Sequence, residues 1–288
     1  WTSSEDPYRR TGTHGLMTRP IAAAVQMTST ADTDTNLATA QRLVRQAAAT
    51  GASLVVLPEL FTALGEPEMI TSAAQPVPGP ASRMLGELAA ELQITLVGGS
   101  LAERREGHQR ISNTSLLFGP DGTQLACYRK MHLFDIDLPG RVSFCESSFV
   151  EPGEEIVVTE TPLGRLGQAT CYDLRFPELF RGLVDRGAEI IVVPSAFTQS
   201  TGRDHWEVLL RARAIENQAF VVAANQHGEH APGITTYGRS MIIDPWGTVL
   251  ATAPDGEAVI TAELDFDRLR EIRTTLPALK HRRVRGSS

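Results

Sequence analysis

Residues 21–57 read IAAAVQMTSTADTDTNLATAQRLVRQAAATGASLVVL, and this stretch determines the fold class. Ile21 to Met27 is a short apolar run typical of a buried strand, and Asn36 to Ala49 repeats apolar residues at helical spacing. Gly51 ends that helix just before a second apolar run, Ser53 to Leu57. The stretch therefore predicts a β-α-β unit and a protein of the α/β class.

The same alternation of strands and helices continues along the rest of the chain. It predicts helices at 81–92, 177–186 and 204–218, strands at 94–98, 114–118, 124–128, 166–171, 189–193 and 220–224, and hairpin-like strands at 239–243, 249–252 and 259–264. Because no Pro-rich or Ser-rich linker divides the sequence, we predict a single mixed α/β domain over residues 17–288. Residues 1–16 are predicted to be a polar extension, and the basic tail at 280–285 is predicted to lie outside the core or against a partner.

The composition is that of a globular protein with a mildly acidic balance of charge. Of the 288 residues, 42% are hydrophobic and 21% are charged, and the formal net charge is −7. This balance disfavours nucleic acid and anionic membranes as partners, and no apolar run reaches the length of a membrane span. The odd number of cysteines, three, cannot all pair within one chain, so we expect reduced thiols and a cytoplasmic location.

Three apolar runs end in a polar group of a type used in catalysis. Glu59 follows one run, Lys130 follows a second, and Cys171 ends a third. Because the carboxyl ends of strands in an open α/β sheet meet at one edge, these groups would meet there as base, oxyanion stabiliser and nucleophile. Each also has a plainer interpretation, as an ion-paired carboxylate, a solvated lysine and a small core residue.

Lys130 and Cys171 each carry a further signal. Lys130 and Lys280 are the only lysines, and the other 25 basic residues are Arg. A lysine directly after Arg129 therefore indicates a need for a compact or titratable ammonium. Cys171 precedes Pro177, a typical first residue of a helix, so we expect backbone amides and a helix terminus to favour the thiolate.

Three segments together resemble the signature segments of the nitrilase, or carbon–nitrogen hydrolase, superfamily. They are LPELF at 57–61, YRKMHLFD at 128–135 and CYDLRFPE at 171–178, in the order and spacing of that family. Four further segments resemble one branch of the superfamily, that of the deaminated glutathione amidases and omega-amidases, and the likeness to the former is closer. These segments are FCES (144–147), PSAFT (194–198), residues 205–217 and DPWGT (244–248). The resemblance extends from about residue 21 to residue 283.

The resemblance implies a four-layer α-β-β-α sandwich of the nitrilase type that forms a homodimer or a higher oligomer. It implies Glu59 as general base, Lys130 as oxyanion stabiliser together with the amide of Tyr172, and Cys171 as the acylated nucleophile. Glu146 would be a second carboxylate that orients the substrate or the attacking water. The family needs no metal and no cofactor, so we expect neither.

The expected substrate is a small carboxylate-bearing amide cleaved at a non-peptide C–N bond through a thioester, with the 2-oxoglutaramate-like end of deaminated glutathione as the first choice. Tyr172, Arg175 and Phe197 are the predicted substrate-binding residues. A guanidinium grips a planar carboxylate with two hydrogen bonds, and Arg175 is preferred for this role over the other available cations, Arg211 and Arg213.

Other functions would use the same catalytic residues. They are an omega-amidase acting on 2-oxoglutaramate or 2-oxosuccinamate, a nitrilase and an N-carbamoyl hydrolase, because each attacks a C–N carbon with a nucleophile, a base and an oxyanion stabiliser. A catalytically idle binding or scaffold relative is the alternative from a different class, and the intact residues Glu59, Lys130 and Cys171 argue against it.

Two His residues and two of the three Cys residues are interpreted as structural. His227 and His230 could suggest a pair of metal ligands, but we predict them in a Gly- and Pro-containing loop with no helix to fix their geometry. Cys127 is predicted to belong to the core. Cys145 is predicted to be a buried structural thiol, and a place in the pocket lining beside Glu146 is the alternative. The sequence therefore predicts no metal site.

Overall fold

The predicted β-α-β unit is present in the computed structural model, which describes residues 19–138 and 142–284. Strand β1 (Ile21–Gln26) runs parallel to β2 (Leu54–Val56), and helix α1 (Thr33–Ala49) connects them. The predicted polar extension at residues 1–16 lies outside the described residues.

The other elements follow in chain order. The strands are β3 (Thr95–Val97), β4 (Leu101–Glu103), β5 (Ser112–Phe118), β6 (Gln124–Arg129), β7 (Asp135–Leu138), β8 (Val142–Cys145), β9 (Val158–Thr161), β10 (Gly164–Gln168), β11 (Ile190–Val192), β12 (Phe220–Ala223), β13 (His227–Ala231), β14 (Ile234–Tyr237), β15 (Met241–Ile243), β16 (Val249–Thr252) and β17 (Ala258–Glu263). The helices are α2 (Pro67–Ser72), α3 (Pro80–Leu92), α4 (Pro177–Asp185), α5 (Gln199–Asn217) and α6 (Phe266–Thr275).

Two sheets form the centre of the protein. The first has the strand order β17-β1-β2-β3-β5-β4, with β6 also paired to β5. The second has the order β16-β15-β12-β11-β10-β9. In both sheets the central strands are parallel and the outer strands are antiparallel. The parallel strands are short and apolar because both of their faces are covered.

Three apolar clusters separate four layers. Ala22 and Ala24 of β1 point into a cluster between the two sheets, which also contains Ile190 of β11 and Val222 of β12. Ala23, on the opposite face of β1, packs in a second cluster with residues of α1 and α3. A third cluster joins the second sheet to α4 and α5. This alternation of faces along each strand produces the predicted α-β-β-α sandwich, which is confirmed.

The structure corrects the predicted elements where the sequence pattern is weak. His227 and His230 lie on strand β13, not in a loop, because Pro232 and Gly233 form a turn that pairs β13 with β14. Gly233 has φ +79°, a conformation that glycine adopts without strain. The strands β4, β7, β8 and β9 and the helices α2 and α6 were not predicted. Helix α5 begins five residues earlier than expected, at Gln199.

None of the helices in the described part of the chain combines the length and the apolar character needed to cross a bilayer.

Candidate active site

Four polar side chains named from the sequence lie together in one cavity. Glu59 follows β2, Lys130 follows β6, Cys171 lies beyond β10, and Glu146 follows β8. All four are buried, with at most 6% of any of them exposed, and all four line the cavity. Glu59 and Lys130 come from the first sheet and Cys171 from the second, so the site is assembled where the ends of the two sheets meet.

Two residues at the site have left-handed backbone conformations. Leu60, directly after Glu59, has φ +50°, and Cys171 has φ +48°. A non-glycine residue in this region is strained by roughly 1 kcal/mol or more and persists only where its surroundings hold it. The backbone N–H of Leu60 donates to Ser100 Oγ at 2.9 Å, and that of Cys171 donates to the carbonyl of Pro194 at 2.9 Å. These hydrogen bonds therefore fix the two turns that carry the carboxylate of Glu59 and the thiol of Cys171.

Lys130 is the centre of the site. Its Nζ donates to Glu59 Oε1 at 2.9 Å and to Glu146 Oε1 and Oε2 at 3.1 and 2.9 Å. Burial disfavours the charged amine, but the negative charges of Glu146 and Glu59 outweigh burial and raise the pKa of Lys130 well above its ordinary value. Lys130 is thus a fixed positive charge, which suits it to hold an oxyanion better than to supply a proton.

Asn113 on β5 is a site residue that the sequence did not reveal. Its Nδ2 donates to Glu59 Oε1 at 2.8 Å and to Glu146 Oε1 at 3.2 Å. The backbone N–H of Phe134 donates to Glu146 Oε2 at 2.6 Å, and that of Ala196 donates to Glu59 Oε2 at 2.8 Å. Every carboxylate oxygen of the pair therefore has at least one donor, which is what two buried acids need.

The thiol of Cys171 is held in its protonated form. Burial, followed by the negative charge of Glu59, raises the pKa of Cys171 well above its ordinary value, although Lys130 and the amide of Ala196 act in the opposite direction. The expectation of a stabilised thiolate is therefore wrong. Pro177 does begin α4, as predicted, but burial and Glu59 decide the pKa. Attack by this thiol requires that a base remove its proton at the same time, and Glu59 is the carboxylate in position to do so.

The raised pKa predicts how Cys171 reacts with iodoacetamide. The thiolate is the reactive form, so the pH midpoint of Cys171 alkylation should lie above that of a cysteine in an unstructured peptide. A Glu59→Gln variant removes the negative charge that raises this pKa, so its midpoint should move to lower pH. Alkylation of the Cys171 peptide, followed by mass spectrometry across a pH series, measures both values.

Glu68→Gln is the matched control, because it removes an exposed carboxylate of α2 that does not line the cavity. Its midpoint should equal that of the unmodified protein. A midpoint for the unmodified protein at or below that of the peptide would contradict the assignment.

The turn that carries Cys171 is fixed by Asp173. This fully buried carboxylate accepts hydrogen bonds from Tyr128 Oη at 2.6 Å, from the backbone N–H of Thr170 at 2.8 Å, and from the backbone N–H and ring Nδ1 of His132 at 3.0 and 2.7 Å. Tyr128 and His132 belong to the segment that also supplies the ammonium of the site. Asp173 therefore links the position of the thiol to the position of that ammonium.

The three predicted substrate-binding residues lie beside the cavity and are not among its described lining residues. The ring of Tyr172 packs edge-on against Phe134, which does line the cavity, with ring centroids 5.1 Å apart. The guanidinium of Arg175 lies over the rings of Tyr172 and Phe197, at 5.7 and 5.1 Å, and contacts His205. Their contact with substrate stays a prediction.

The other two cysteines lie outside the cavity lining in the described chain. Cys127 is half-buried and packs against the outer cluster of the first sheet. Cys145 is exposed on the β7–β8 hairpin, where its Sγ is 3.5 Å from Ser147 Oγ. The prediction that Cys145 is a buried thiol is therefore wrong, because this two-stranded hairpin does not cover it.

The cavity has a volume of about 590 Å³ and two contrasting walls. One wall is the charged cluster. The other is largely apolar and includes Leu64, Ile70, Ile111, Phe134, Phe149 and Val150. A volume of this size is in the range of small-molecule sites. Among the residues that the structure describes, no group of three or more His, Cys, Asp or Glu side chains has the arrangement of a metal site.

Comparison with known proteins gives matches over most of the chain. The sequence profile of the carbon–nitrogen hydrolase family matches residues 21–274. The chain is 44% identical over 269 residues to deaminated glutathione amidase of Homo sapiens, and the alignment covers 92% of this chain and 82% of that protein. It is 39% identical over 267 residues to omega-amidase NIT2 of Homo sapiens, covering 93% of this chain and 96% of that protein.

A solved structure has the fold described above. The crystal structure of the C. elegans NitFhit protein superposes on 92% of this chain with a TM-score of 0.86 and 40% identity. This chain spans 65% of the length of that NitFhit chain.

Proposed function

The chain belongs to the carbon–nitrogen hydrolase family and hydrolyses a non-peptide C–N bond as an amidase, and we propose that Cys171 is its nucleophile. The observation that supports this proposal is the buried cluster in which Lys130 joins Glu59 and Glu146 beside the thiol. A carboxylate, an ammonium and a thiol in one cavity are the base, the oxyanion stabiliser and the nucleophile that amide hydrolysis requires.

In the first step the carboxylate of Glu59 takes the proton of Cys171 as Sγ forms a bond to the amide carbon. The carbonyl π electrons move to oxygen, and the ammonium of Lys130 and the backbone N–H of Tyr172 hold the resulting oxyanion. Lys130 can turn one N–H toward the oxyanion because Glu146 keeps its hydrogen bonds to Asn113 and to the backbone of Phe134.

In the second step the C–N bond breaks. Glu59 returns its proton to the leaving nitrogen, so ammonia or an amine departs and a thioester remains on Cys171. A water molecule then gives a proton to Glu59 and attacks the thioester carbon. The carbon–sulfur bond breaks, the carboxylic acid leaves, and the proton on Glu59 returns to the thiolate. Glu146 orients the substrate or this water.

The proposed substrate is a small carboxylate-bearing amide of the deaminated glutathione type. The 44% identity to human deaminated glutathione amidase supports this choice. A cavity of about 590 Å³ also supports an amide with an extended leaving group, because a shorter omega-amide would leave much of the apolar wall uncovered. Omega-amides, nitriles and N-carbamoyl compounds remain the alternative substrates.

We propose that the residues beside the nucleophile turn recognise the substrate. Tyr172 would contribute its backbone amide to the oxyanion site. Arg175 would bind the substrate carboxylate, and its position supports this because the rings of Tyr172 and Phe197, each next in sequence to a cavity-lining residue, hold its guanidinium.

A panel of substrates tests the proposed function. Deaminated glutathione, 2-oxoglutaramate, an N-carbamoyl amino acid and a simple nitrile are assayed for released amine or ammonia. The largest kcat/KM is expected for deaminated glutathione. A larger kcat/KM for 2-oxoglutaramate would identify an omega-amidase, and absence of turnover with the whole panel would contradict the proposal.

The same family membership supports a homodimer, and the exposed apolar residues indicate its interface. Val208 and Ile215 lie seven residues apart on α5, so they share one face of the helix, and 67% and 49% of them are exposed. Trp246, 51% exposed, lies on the turn whose Gly247 packs against Ile215. We propose that a second copy of the chain covers this face.

Sedimentation tests the dimer. The unmodified protein is expected to sediment as a dimer or larger assembly, and Val208→Glu with Ile215→Glu is expected to give monomers because two charges would be buried at the interface. Leu125→Glu, which charges an exposed apolar residue of β6, is the control and should leave the assembly unchanged. Monomers of the unmodified protein would contradict the proposal.

The cysteines support a cytoplasmic location as a further proposal. All three are free thiols in the structure, and free thiols persist in a reducing compartment. Fractionation of cells that express the natural protein tests this location, and recovery from an oxidising compartment would contradict it.

A further inference from the structure

The hairpin of β13 and β14 carries a buried histidine that the proposed mechanism does not use. His230 is 6% exposed, and both ring nitrogens have a partner. Nδ1 is 2.7 Å from the backbone carbonyl oxygen of Ser29, and Nε2 is 2.7 Å from Thr236 Oγ1. Burial lowers the pKa of His230 below its ordinary value, although the hydrogen bond to Ser29 acts in the opposite direction, so the ring is neutral near pH 7.

These contacts determine where each hydrogen lies. A carbonyl oxygen can only accept, so Nδ1 of His230 must carry the proton and donate it to Ser29. A neutral imidazole has one N–H, so Nε2 must accept. Thr236 therefore donates its only hydroxyl proton to His230, and the lone pairs of its Oγ1 remain available as acceptors.

Thr236 lies at the cavity on the side of Glu59. It lines the cavity and is 4% exposed. Its backbone pairs with that of Thr198, two residues beyond Ala196, whose N–H donates to Glu59 Oε2 at 2.8 Å. In the proposed mechanism Glu59 protonates the leaving nitrogen, so the leaving group occupies this side.

We propose that Thr236 Oγ1 accepts a hydrogen bond from the N–H of the scissile amide and so determines specificity for amides that carry an N–H. His230 is the positioning residue, because its Nε2 accepts the hydroxyl proton of Thr236 and leaves Oγ1 to act toward the substrate as a hydrogen-bond acceptor. The inference rests on the proposed function, because it needs an amide with its leaving nitrogen on the Glu59 side.

Two consequences follow for the reaction. An N–H directed at Thr236 fixes the orientation of the leaving nitrogen in the tetrahedral intermediate, and with it the direction of the lone pair that Glu59 protonates. An ester, or an amide with two carbon substituents on nitrogen, offers no hydrogen to Thr236 and leaves a buried acceptor without a partner, which weakens binding.

Binding to an inactive Cys171→Ala form tests the proposal without turnover. Deaminated glutathione is compared by calorimetry with its depsipeptide, in which oxygen replaces the scissile N–H. The amide is expected to bind about five- to tenfold more tightly, the range of one neutral hydrogen bond. Thr236→Val should abolish this preference, and Thr236→Ser, which keeps the hydroxyl, should retain it.

Each outcome of the calorimetric comparison either supports or overturns the proposed role of Thr236. An amide that binds no more tightly than the depsipeptide would overturn it, as would a preference that survives in Thr236→Val. A loss of affinity of equal size for both ligands would assign Thr236 a structural role only. If the binding preference follows the expectation while the unmodified protein hydrolyses none of the panel, the proposed function fails, and Thr236 is assigned only to recognition of the N–H of a bound amide.

Nitrogen NMR of the histidine rings gives an independent test that needs no variant. His230 should show a protonated Nδ1 and an unprotonated Nε2. The opposite tautomer would make Thr236 a hydrogen-bond acceptor toward His230 and direct its proton at the cavity, which would overturn the inference.

Discussion

A Cys171→Ala variant loses amide hydrolysis by a factor of about 10⁴ or more and keeps its fold. The reason is chemical, because no other side chain in the described cavity lining can form the covalent intermediate from the same place. Cys171→Ser should also be inactive, since a hydroxyl is a much weaker acid than a thiol and Glu59 cannot deprotonate it as readily. Initial rates with the best substrate of the panel, and circular dichroism of each variant, measure the two parts of this expectation.

Cys127→Ala is the matched control for the loss of a thiol. Cys127 is half-buried on β6 and packs on the outer cluster of the first sheet, away from the described cavity lining. Its removal should leave kcat/KM within about twofold. A folded Cys171→Ala protein with an unchanged rate would remove Cys171 from the mechanism.

A Lys130→Met variant loses both activity and stability, with an expected fall of about 3–5 kcal/mol in the free energy of unfolding. Methionine replaces the lysine side chain as far as its ε-carbon but has no ammonium, so the carboxylates of Glu59 and Glu146 stay buried without a cation between them. Two uncompensated buried charges are costly, so at least one of them must take up a proton. Urea unfolding measures the stability, and its midpoint should fall with little change in slope.

Two further variants separate charge from packing. Lys280→Met removes the exposed lysine of the basic tail and should change the free energy of unfolding by at most about 0.5 kcal/mol. Lys130→Met combined with Glu146→Gln removes one of the two uncompensated charges, so it should recover part of the lost stability without activity. A Lys130→Met protein as stable as the unmodified one would show that the cluster does not need its cation.

The sequence predicted the fold where the pattern was long and periodic. The β-α-β unit from Ile21 to Val56 and the helices α3 and α4 show clear apolar periodicity, and they form close to the predicted limits. The strands β4, β7, β8 and β9 have only three or four residues each, too few to establish a period. The hairpin of β13 and β14 was missed because its glycines and proline are also typical of loops.

The site was predictable only in part. Glu59, Lys130 and Cys171 lie at the ends of apolar runs, so the positions of the predicted strands were enough to identify them as candidates. Glu146 was predicted only from the resemblance to a family. Asn113 was missed because it lies inside a strand, and nothing in its neighbours shows that its amide meets two carboxylates from other parts of the chain.

The pKa of Cys171 could not be predicted from its local sequence. The neighbouring residues indicate backbone amides and a helix start, which favour a thiolate. The burial and the carboxylate of Glu59 that reverse this effect come from distant segments of the chain. Long-range electrostatics of this kind become visible only when the two sheets are placed against each other.

The pairing of β17 with β1 has a consequence for synthesis on the ribosome. All six residues of β1 have a partner in β17, from Ile21 with Glu263 to Gln26 with Ala258. Strand β1 is therefore synthesised long before its partner β17, and the edge of β1 that β17 covers stays open meanwhile. Because such distant pairing is slow and an open edge can join another chain, this edge is exposed to association with other polypeptides until β17 has been made.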